Sequence, residues 1–286
     1  MQCRAAKLQM DDYAEFSLSS AAEDKVYSAV TENIAEYWVA YSTHIGTRKY
    51  QQDAVKIPDK NKQKESKNIC VLSDGMGGMQ GGEIASNLTV NTLFDDFYNQ
   101  KVENCPAFFS EEIKKVDALV AGIKDETGKT IESGATLVSI VIDGNNLYWA
   151  SVGDSRIYII RGDEIAQVNA EHNYYMMLKN RVEAGEITEE EARNDPSKEA
   201  LISYIGIGGV ELADINQEPF SLENGDLIVL CSDGLYRILN DEAIKLIVRS
   251  CSENIPLAAH MLVNTATENR QNNQDNTTAI VVKYKQ

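Results

Sequence analysis

The sequence predicts an α+β protein in which two stacked antiparallel β-sheets are flanked by helices. Two observations carry this expectation. Apolar strand-like runs come in hairpins while helical patterns come in separate groups, so strand and helix do not alternate along the chain. No linker rich in Pro, Gly or Ser and no shift of composition divides the 286 residues, which argues for a single main domain.

Residues 1–36 are polar and read as an N-terminal extension, a helix or a mobile arm, and the domain proper is expected over 37–286. From Tyr37 the signals strengthen. "YWVAYST" alternates like a strand, and "DAVKI" and "NICVLSD" flank the polar loop "PDKNKQKESKN" as a hairpin with a long solvated tip. "GEIASNLTVNTLFDDFYNQ", "SEEIKKVDALVAGIKDE" and "DEAIKLIVRS" space their apolar residues as helices do. Between them "GATLVSIVID" and "NNLYWASVGDSRIYIIRGDEIAQV" read as strands, with turns at Asp143-Gly144 and Arg161-Gly162-Asp163. A charged helical stretch, "YYMMLKNRVEAGEITEEEARND", ends at Pro196, and "DLIVLCSDG" and "TTAIVVKYK" supply the last strands.

Composition narrows the function. Twenty-seven basic against 44 acidic residues give a net charge of −17, which argues against nucleic acid or an anionic membrane as partner. The longest apolar run, "ATLVSIVI", is too short to span a bilayer, and no charged-then-apolar leader opens the sequence, so the expected location is the cytoplasm. Five scattered cysteines without a Cys-x-x-Cys pair fit reduced thiols, and three distant histidines do not suggest a histidine metal site.

The chemistry concentrates around "NICVLSDGMGGMQGGE", where five glycines fall between Gly75 and Gly82. A phosphate loop of the Walker type needs a Gly-Lys-Ser/Thr, but no lysine stands between Cys70 and Lys101. A Gly-x-Gly-x-x-Gly fingerprint fails because Gln80 occupies its last position. Both readings leave Asp74 unexplained. A metal site explains it: an aspartate just past a strand projects beyond the sheet, and a following glycine lets the backbone turn tightly and offer its carbonyl to the same ion. Four other acids stand beside apparent strand ends: Asp53, Asp154, Asp233 in a second Ser-Asp-Gly, and Asp275. An all-oxygen set of this kind suits Mg²⁺ or Mn²⁺.

These segments, in this order, resemble the PPM (type 2C) family of metal-dependent serine/threonine protein phosphatases in its bacterial form. The resemblance runs from about Tyr37 to Tyr284 and rests on "GTRKYQQDA", "LSDGMGGMQGGEIAS", "SGATLV", "VGDSRIY", "EHNYYMMLKNRVEAGEIT", "LCSDGLYRIL" and "DNTTAIVV". It implies a four-layer αββα sandwich with a metal site at one edge. It also implies two Mn²⁺ or Mg²⁺ ions, with Asp74 bridging them, the Gly75 carbonyl on one, Asp53 near the second, and Asp233 and Asp275 on the first. Asp154, with Asp233, would hold a weaker third ion, and Arg48 would grip the substrate phosphate through its planar fork. The implied reaction is direct displacement at phosphorus by a water activated between the two ions, with Asp74, Asp233 and Arg48 as the catalytic residues and no phosphoenzyme. Phosphorylated proteins would be the substrates, a serine/threonine kinase the antagonist, and a monomer the working form.

Three positions depart from the family pattern. Gln51 stands for an asparagine, so a local hydrogen bond is expected to be re-routed. Met76 stands where animal members often carry a histidine proposed as general acid, so the leaving oxygen must take its proton elsewhere. "EALISYIGIGG" replaces an Arg-containing segment, beyond a stretch, Tyr174 to Pro196, that resembles a mobile flap. Two rivals stand beside the metal phosphatase. "CSDGLYR" matches the Cys-x₅-Arg spacing of thiol phosphatases, but Cys231 ends an apolar strand and is expected to be buried and inert. A phosphatase-like scaffold without activity would normally lack one or more of the acids, and all five are present.

Overall fold

The computed structural model describes residues 26–34, 37–58, 67–78, 81–269 and 273–285. The chain opens with strands β1 (Val26–Ile34), β2 (Tyr37–His44), β3 (Asp53–Lys56) and β4 (Lys67–Gly77), followed by helices α1 (Gly81–Asn99) and α2 (Cys105–Ala121). A run of strands follows: β5 (Ser133–Ala135), β6 (Leu137–Asp143), β7 (Asn146–Val152), β8 (Arg156–Arg161) and β9 (Glu164–Gln167). Then come α3 (Tyr174–Glu183), α4 (Glu189–Asn194) and two short strands, β10 (Asp214–Ile215) and β11 (Phe220–Ser221). Strand β12 (Leu227–Cys231), helices α5 (Asp233–Tyr236), α6 (Asp241–Ser250) and α7 (Ile255–Glu268), and β13 (Thr277–Tyr284) complete it.

The strands form two sheets. One runs β1-β2-β13-β12-β8-β9; the other runs β10-β7-β6-β4-β3, with β11 on β7 and β5 on β4. Every pairing between these strands is antiparallel.

The period-two alternation of each strand decides the layers. In β4, Cys70 and Leu72 join the cluster between the sheets, while Ile69 and Val71 join one with Leu93, Phe97, Phe109 and Val116 of α1 and α2. In β12, Ile228 and Leu230 face the other sheet, while Leu227, Val229 and Cys231 pack with Ile244, Val248, Leu262 and Val263 of α6 and α7. Both faces of both sheets are therefore covered, and each fully buried Leu or Ile contributes about 1.5–3 kcal/mol. This is the four-layer αββα sandwich expected. Among the described residues no helix is long and apolar enough to cross a membrane.

Three expectations need correction. The stretch over 26–34, read as helix or arm, is strand β1, paired along β2 from Val26↔His44 to Ile34↔Tyr37. The sheet thus begins before Tyr37, because the outer edge of β2 would otherwise offer unpaired backbone groups. Residues 1–25 lie outside the described residues. Helix α7 has no counterpart among the sequence-predicted helices, although Asn254 caps it by accepting from the Leu257 N–H and a proline opens its first turn. Finally, Asp74 does not end its strand: β4 continues to Gly77, its partner changing from β6 to β5 across Thr136.

Candidate metal centre

The register of β3 on β4 sets Asp53 directly opposite Asp74. Two like charges in that position are unfavourable unless a proton or cation lies between them. Ser232 Oγ donates to Asp53 Oδ2 at 2.8 Å, while Asp53 Oδ1 is buried with no hydrogen-bond partner among the described residues. Burial, aided by the nearby Asp275 charge and opposed by hydrogen bonding to Thr278 and Ser232, pushes the Asp53 carboxyl up to about 6.

Asp74 is clamped by Thr136, whose N–H donates to the Asp74 carbonyl at 2.8 Å and whose hydroxyl accepts the Asp74 N–H at 3.0 Å. Its carboxyl is held well above the ordinary range by burial first and then by the charges of Asp53, Asp233, Asp154 and Asp275. That one group feels all four others shows that the five acids share a single neighbourhood. They arrive from both sheets: Asp53 and Asp74 on β3 and β4, Asp154 just past β7, Asp233 just past β12, and Asp275 just before β13.

The glycines permit close approach of backbones. A Cβ on Gly75 would stand 2.1 Å from the Gly82 carbonyl oxygen, and one on Gly234 would stand 2.1 Å from that of Asn276. Gly75 does not adopt the left-handed conformation, so the expected tight turn after Asp74 is replaced by a packing requirement. Gly153, at φ +99°, does turn sharply, and its backbone exchanges bonds with His172: His172 N–H donates to the Gly153 carbonyl, and Gly153 N–H donates to His172 Nδ1. Burial holds the His172 imidazole below its usual range, consistent with Nδ1 acting as acceptor. This clamp sets the turn that delivers Asp154.

Arg48 lies at the exposed mouth and donates to Asp275 Oδ2 at 2.5 Å. Its loop is stitched to the start of β13 by Asn276, which accepts from Gln52 N–H and donates to the carbonyls of Ile45 and Tyr50. Gln51 re-routes as expected, its amide donating to Thr43 Oγ1 while its carbonyl accepts the Asp53 N–H. Met76 packs beside Tyr204 against Gly134, where an added Cβ would meet both side chains. The "EALISYIGIGG" segment borders the site: Ile205 bridges Ala135, and the Asp117 carboxylate receives the N–H groups of Gly206, Gly208, Gly209 and Val210.

Asp233 is pushed up to about 7 by burial, against the pull of Arg237 and with the push of Asp154, Asp275 and Asp53. Arg237 lies 3.1 Å from Asp233 Oδ2, 3.4 Å from Glu199 and 3.8 Å from Asp154. Sequence reasoning met Arg237 only as the tail of the Cys-x₅-Arg decoy, and it missed Glu199, Thr136, Ser232 and His172. Cys231 itself is buried, and burial pushes its thiol up to about 12.

The donor set suits a hard divalent cation: the side chains are all oxygen donors, and among the described residues Asp53 Oδ1 and Asp233 Oδ1 are buried without hydrogen-bond partners. An unpartnered carboxylate oxygen in such a place is costly, and a cation would satisfy it. Among the described residues no three His, Cys, Asp or Glu side chains are yet drawn around one point. Arg48, Arg237 and Ser232 hold three of the carboxylates instead.

Comparison with known proteins identifies the family and matches the fold. The family model described as Protein phosphatase 2C matches residues 42–274. Protein phosphatase PhpP of Streptococcus pneumoniae is 32% identical over 226 residues, covering 76% of this chain and 85% of that protein. The S. agalactiae serine/threonine phosphatase superposes with a TM-score of 0.73 at 27% identity, over 90% of this chain and 99% of that one. The catalytic domain of the serine threonine protein phosphatase PstP, solved in complex with 2 manganese ions, gives 0.68 at 25% identity, over 88% and 99%. The chain belongs to the protein phosphatase 2C family.

Proposed function

We propose that this protein is a metal-dependent serine/threonine protein phosphatase in which Asp53, Asp74, the Gly75 carbonyl, Asp233 and Asp275 hold two divalent ions, Mn²⁺ or Mg²⁺. The observation that carries this reading is the gathering of five carboxylates from both sheets at one place, with Asp53 Oδ1 and Asp233 Oδ1 buried and unpartnered. Bound divalent ions supply the Lewis acidity that makes a water nucleophilic near neutral pH.

The chain's own groups do the rest. Asp53 and Asp74, opposed across β3 and β4, fix the spacing of the centre. Arg48, paired with Asp275 at the mouth of the site, would present two parallel donors to the substrate phosphate and offset charge growing on its oxygens. Cys231 points its thiol into the helix-facing core cluster, so the thiol-phosphatase reading loses its nucleophile and no phosphoenzyme on that residue is expected. The third, weaker ion implied at Asp154 and Asp233 competes there with the Arg237 guanidinium.

Phosphorylated proteins are the substrates, and a serine/threonine kinase would be the antagonist. A cytoplasmic monomer is the working form proposed. The inactive-scaffold reading is the weaker one, because all five acids are present and gathered. Hydrolysis of a phosphoserine or phosphothreonine peptide with Mn²⁺, abolished by chelator and in Asp74→Asn, is the expected result. Inactivity across Mn²⁺, Mg²⁺ and other divalent ions would sink the assignment in favour of the scaffold.

A further inference from the structure

We infer that Arg237 is a built-in cation occupying the place of a third metal ion, so that this phosphatase binds two ions where Asp154 and Asp233 would otherwise help to hold three. The inference rests on the two-ion reading of the neighbouring centre.

The position of Arg237 follows from local geometry. It stands four residues after Asp233, at the end of α5, and its N–H donates to the Asp233 carbonyl at 3.0 Å. That single turn folds the guanidinium back over the carboxylate that begins the helix. The same nitrogen, Nη2, is 3.1 Å from Asp233 Oδ2, 3.4 Å from Glu199 Oε2 and 3.8 Å from Asp154 Oδ2. Three carboxylates from three separate segments thus lie within 4 Å of one guanidinium nitrogen, farther apart than metal ligands but facing one positive charge.

The state of the carboxylate oxygens gives an independent reason. Among the described residues Asp53 Oδ1 and Asp233 Oδ1 are buried without hydrogen-bond partners, while Asp154 Oδ2 has the Arg237 guanidinium beside it at 3.8 Å. The structure therefore leaves oxygens for ions on the Asp53 side and sets a guanidinium on the Asp154 side. Arg237 also divides the work of Asp233, taking Oδ2 and leaving Oδ1 for an ion. A guanidinium does not lose its proton at any working pH, so a divalent ion at its position would meet undiminished repulsion unless the side chain swung out.

The test counts ions rather than turnover. Chelator-stripped wild type, Arg237→Ala and Arg237→Gln are titrated with Mn²⁺, and bound metal per chain is measured by equilibrium dialysis with elemental analysis. Wild type is expected to saturate at two ions up to millimolar Mn²⁺. Each variant should gain a third site at least about tenfold tighter than any third binding in wild type. Anomalous scattering from Mn²⁺-soaked crystals should place that ion between Asp154 and Asp233 in the variants alone. A third ion there in wild type, with Arg237 displaced, overturns the inference whether or not the variants fold. Two ions in all three proteins also overturn it. Fewer than two in wild type would remove the metal-centre reading, and this inference with it, a different outcome from either.

Discussion

The tripeptide Ser-Asp-Gly occurs at both sides of the site, at 73–75 in β4 and at 232–234 where β12 passes into α5, and the two copies solve one problem differently. In each, the glycine lets a neighbouring carbonyl come so close that a Cβ would stand 2.1 Å from it. The serines differ. Ser73 donates to the Thr136 carbonyl and braces its own strand, whereas Ser232 reaches across to Asp53. The acids differ most: Asp74 has four carboxylate neighbours and, among the described residues, no arginine partner, while Asp233 has Arg237 at 3.1 Å. One copy is compensated by protein and the other only by a proton or by added cations.

Activity should expose that difference first. Asp74→Asn removes the acid that no protein group can replace, and kcat should fall by about 10³-fold, the upper end for losing one transition-state stabiliser. Asp233→Asn keeps Arg237 in place and should cost about 10²-fold. Steady-state kinetics on a phosphopeptide at saturating Mn²⁺ measures both, and equal losses would break the contrast.

The glycines should behave alike where the acids do not. At Gly75 the clash is with the Gly82 carbonyl, at Gly234 with that of Asn276, and a backbone oxygen cannot rotate aside as a side chain does. Gly75→Ala and Gly234→Ala are each expected to lower stability by about 3 kcal/mol in denaturant unfolding of the metal-free protein. Gly144→Ala, where the added Cβ meets nothing, isolates the smaller cost of φ +59° alone. A loss at Gly75 no larger than at Gly144 would return the loop to the turn-making role first expected of it.

What could be read from the sequence divides along the same physical line. The five acids and Gly75 were legible as candidates because each sits beside a short apolar run or a turn signal, whereas Arg48 was proposed only from its place in the family's motif. The two-faced strands were legible because period-two burial on both sides leaves a continuous apolar run such as "LIVLC". Strand β1 was not, since "VYSAVTENI" can be read as helix or strand and its pairing with β2 decides between them. The continuation of β4 through Asp74 depends on β5, a partner about 60 residues away, and the glycines suggested a turn instead. Arg237 could have been placed near Asp233 from the i,i+4 spacing of a helical turn. Its meeting with Asp154 and Glu199 exists only in three dimensions. Helix α7 was a plain omission, because the Asn-Ile-Pro start was there to read.

Protonation gives the next contrast. Asp53 at about 6 and Asp233 at about 7 both lie above the ~3.9 of an unfolded aspartate. Between about pH 4 and 7 the folded metal-free protein then binds more protons than the unfolded chain, so its stability must fall as pH rises through that window. The drop should be on the order of a few kcal/mol, and Mn²⁺ should abolish it by taking the place of the protons. Thermal unfolding at pH 5 and pH 8, with chelator and with Mn²⁺, reads both effects. A chelated protein more stable at pH 8 than at pH 5 would contradict the shared-proton account of Asp53 and Asp74.

The smallest expected effect concerns the residue that immediately precedes the second tripeptide. Cys231 begins the Cys-x₅-Arg spacing that ends at Arg237, and a thiol phosphatase would need that sulfur as a thiolate in an open, anion-binding loop. Here the thiol is fully buried among Val229, Leu235 and Leu262, on the face of β12 turned toward α6 and α7. Burial pushes it up to about 12, away from any thiolate at neutral pH. Cys231→Ser should therefore leave Mn²⁺-dependent kcat within about twofold while costing about 1–3 kcal/mol of stability for a buried hydroxyl. A variant that folds by circular dichroism yet loses turnover would move the nucleophile from water to sulfur. Arg237 would then be a phosphate ligand, and the arginine that closes the Asp154 side would have to be read again.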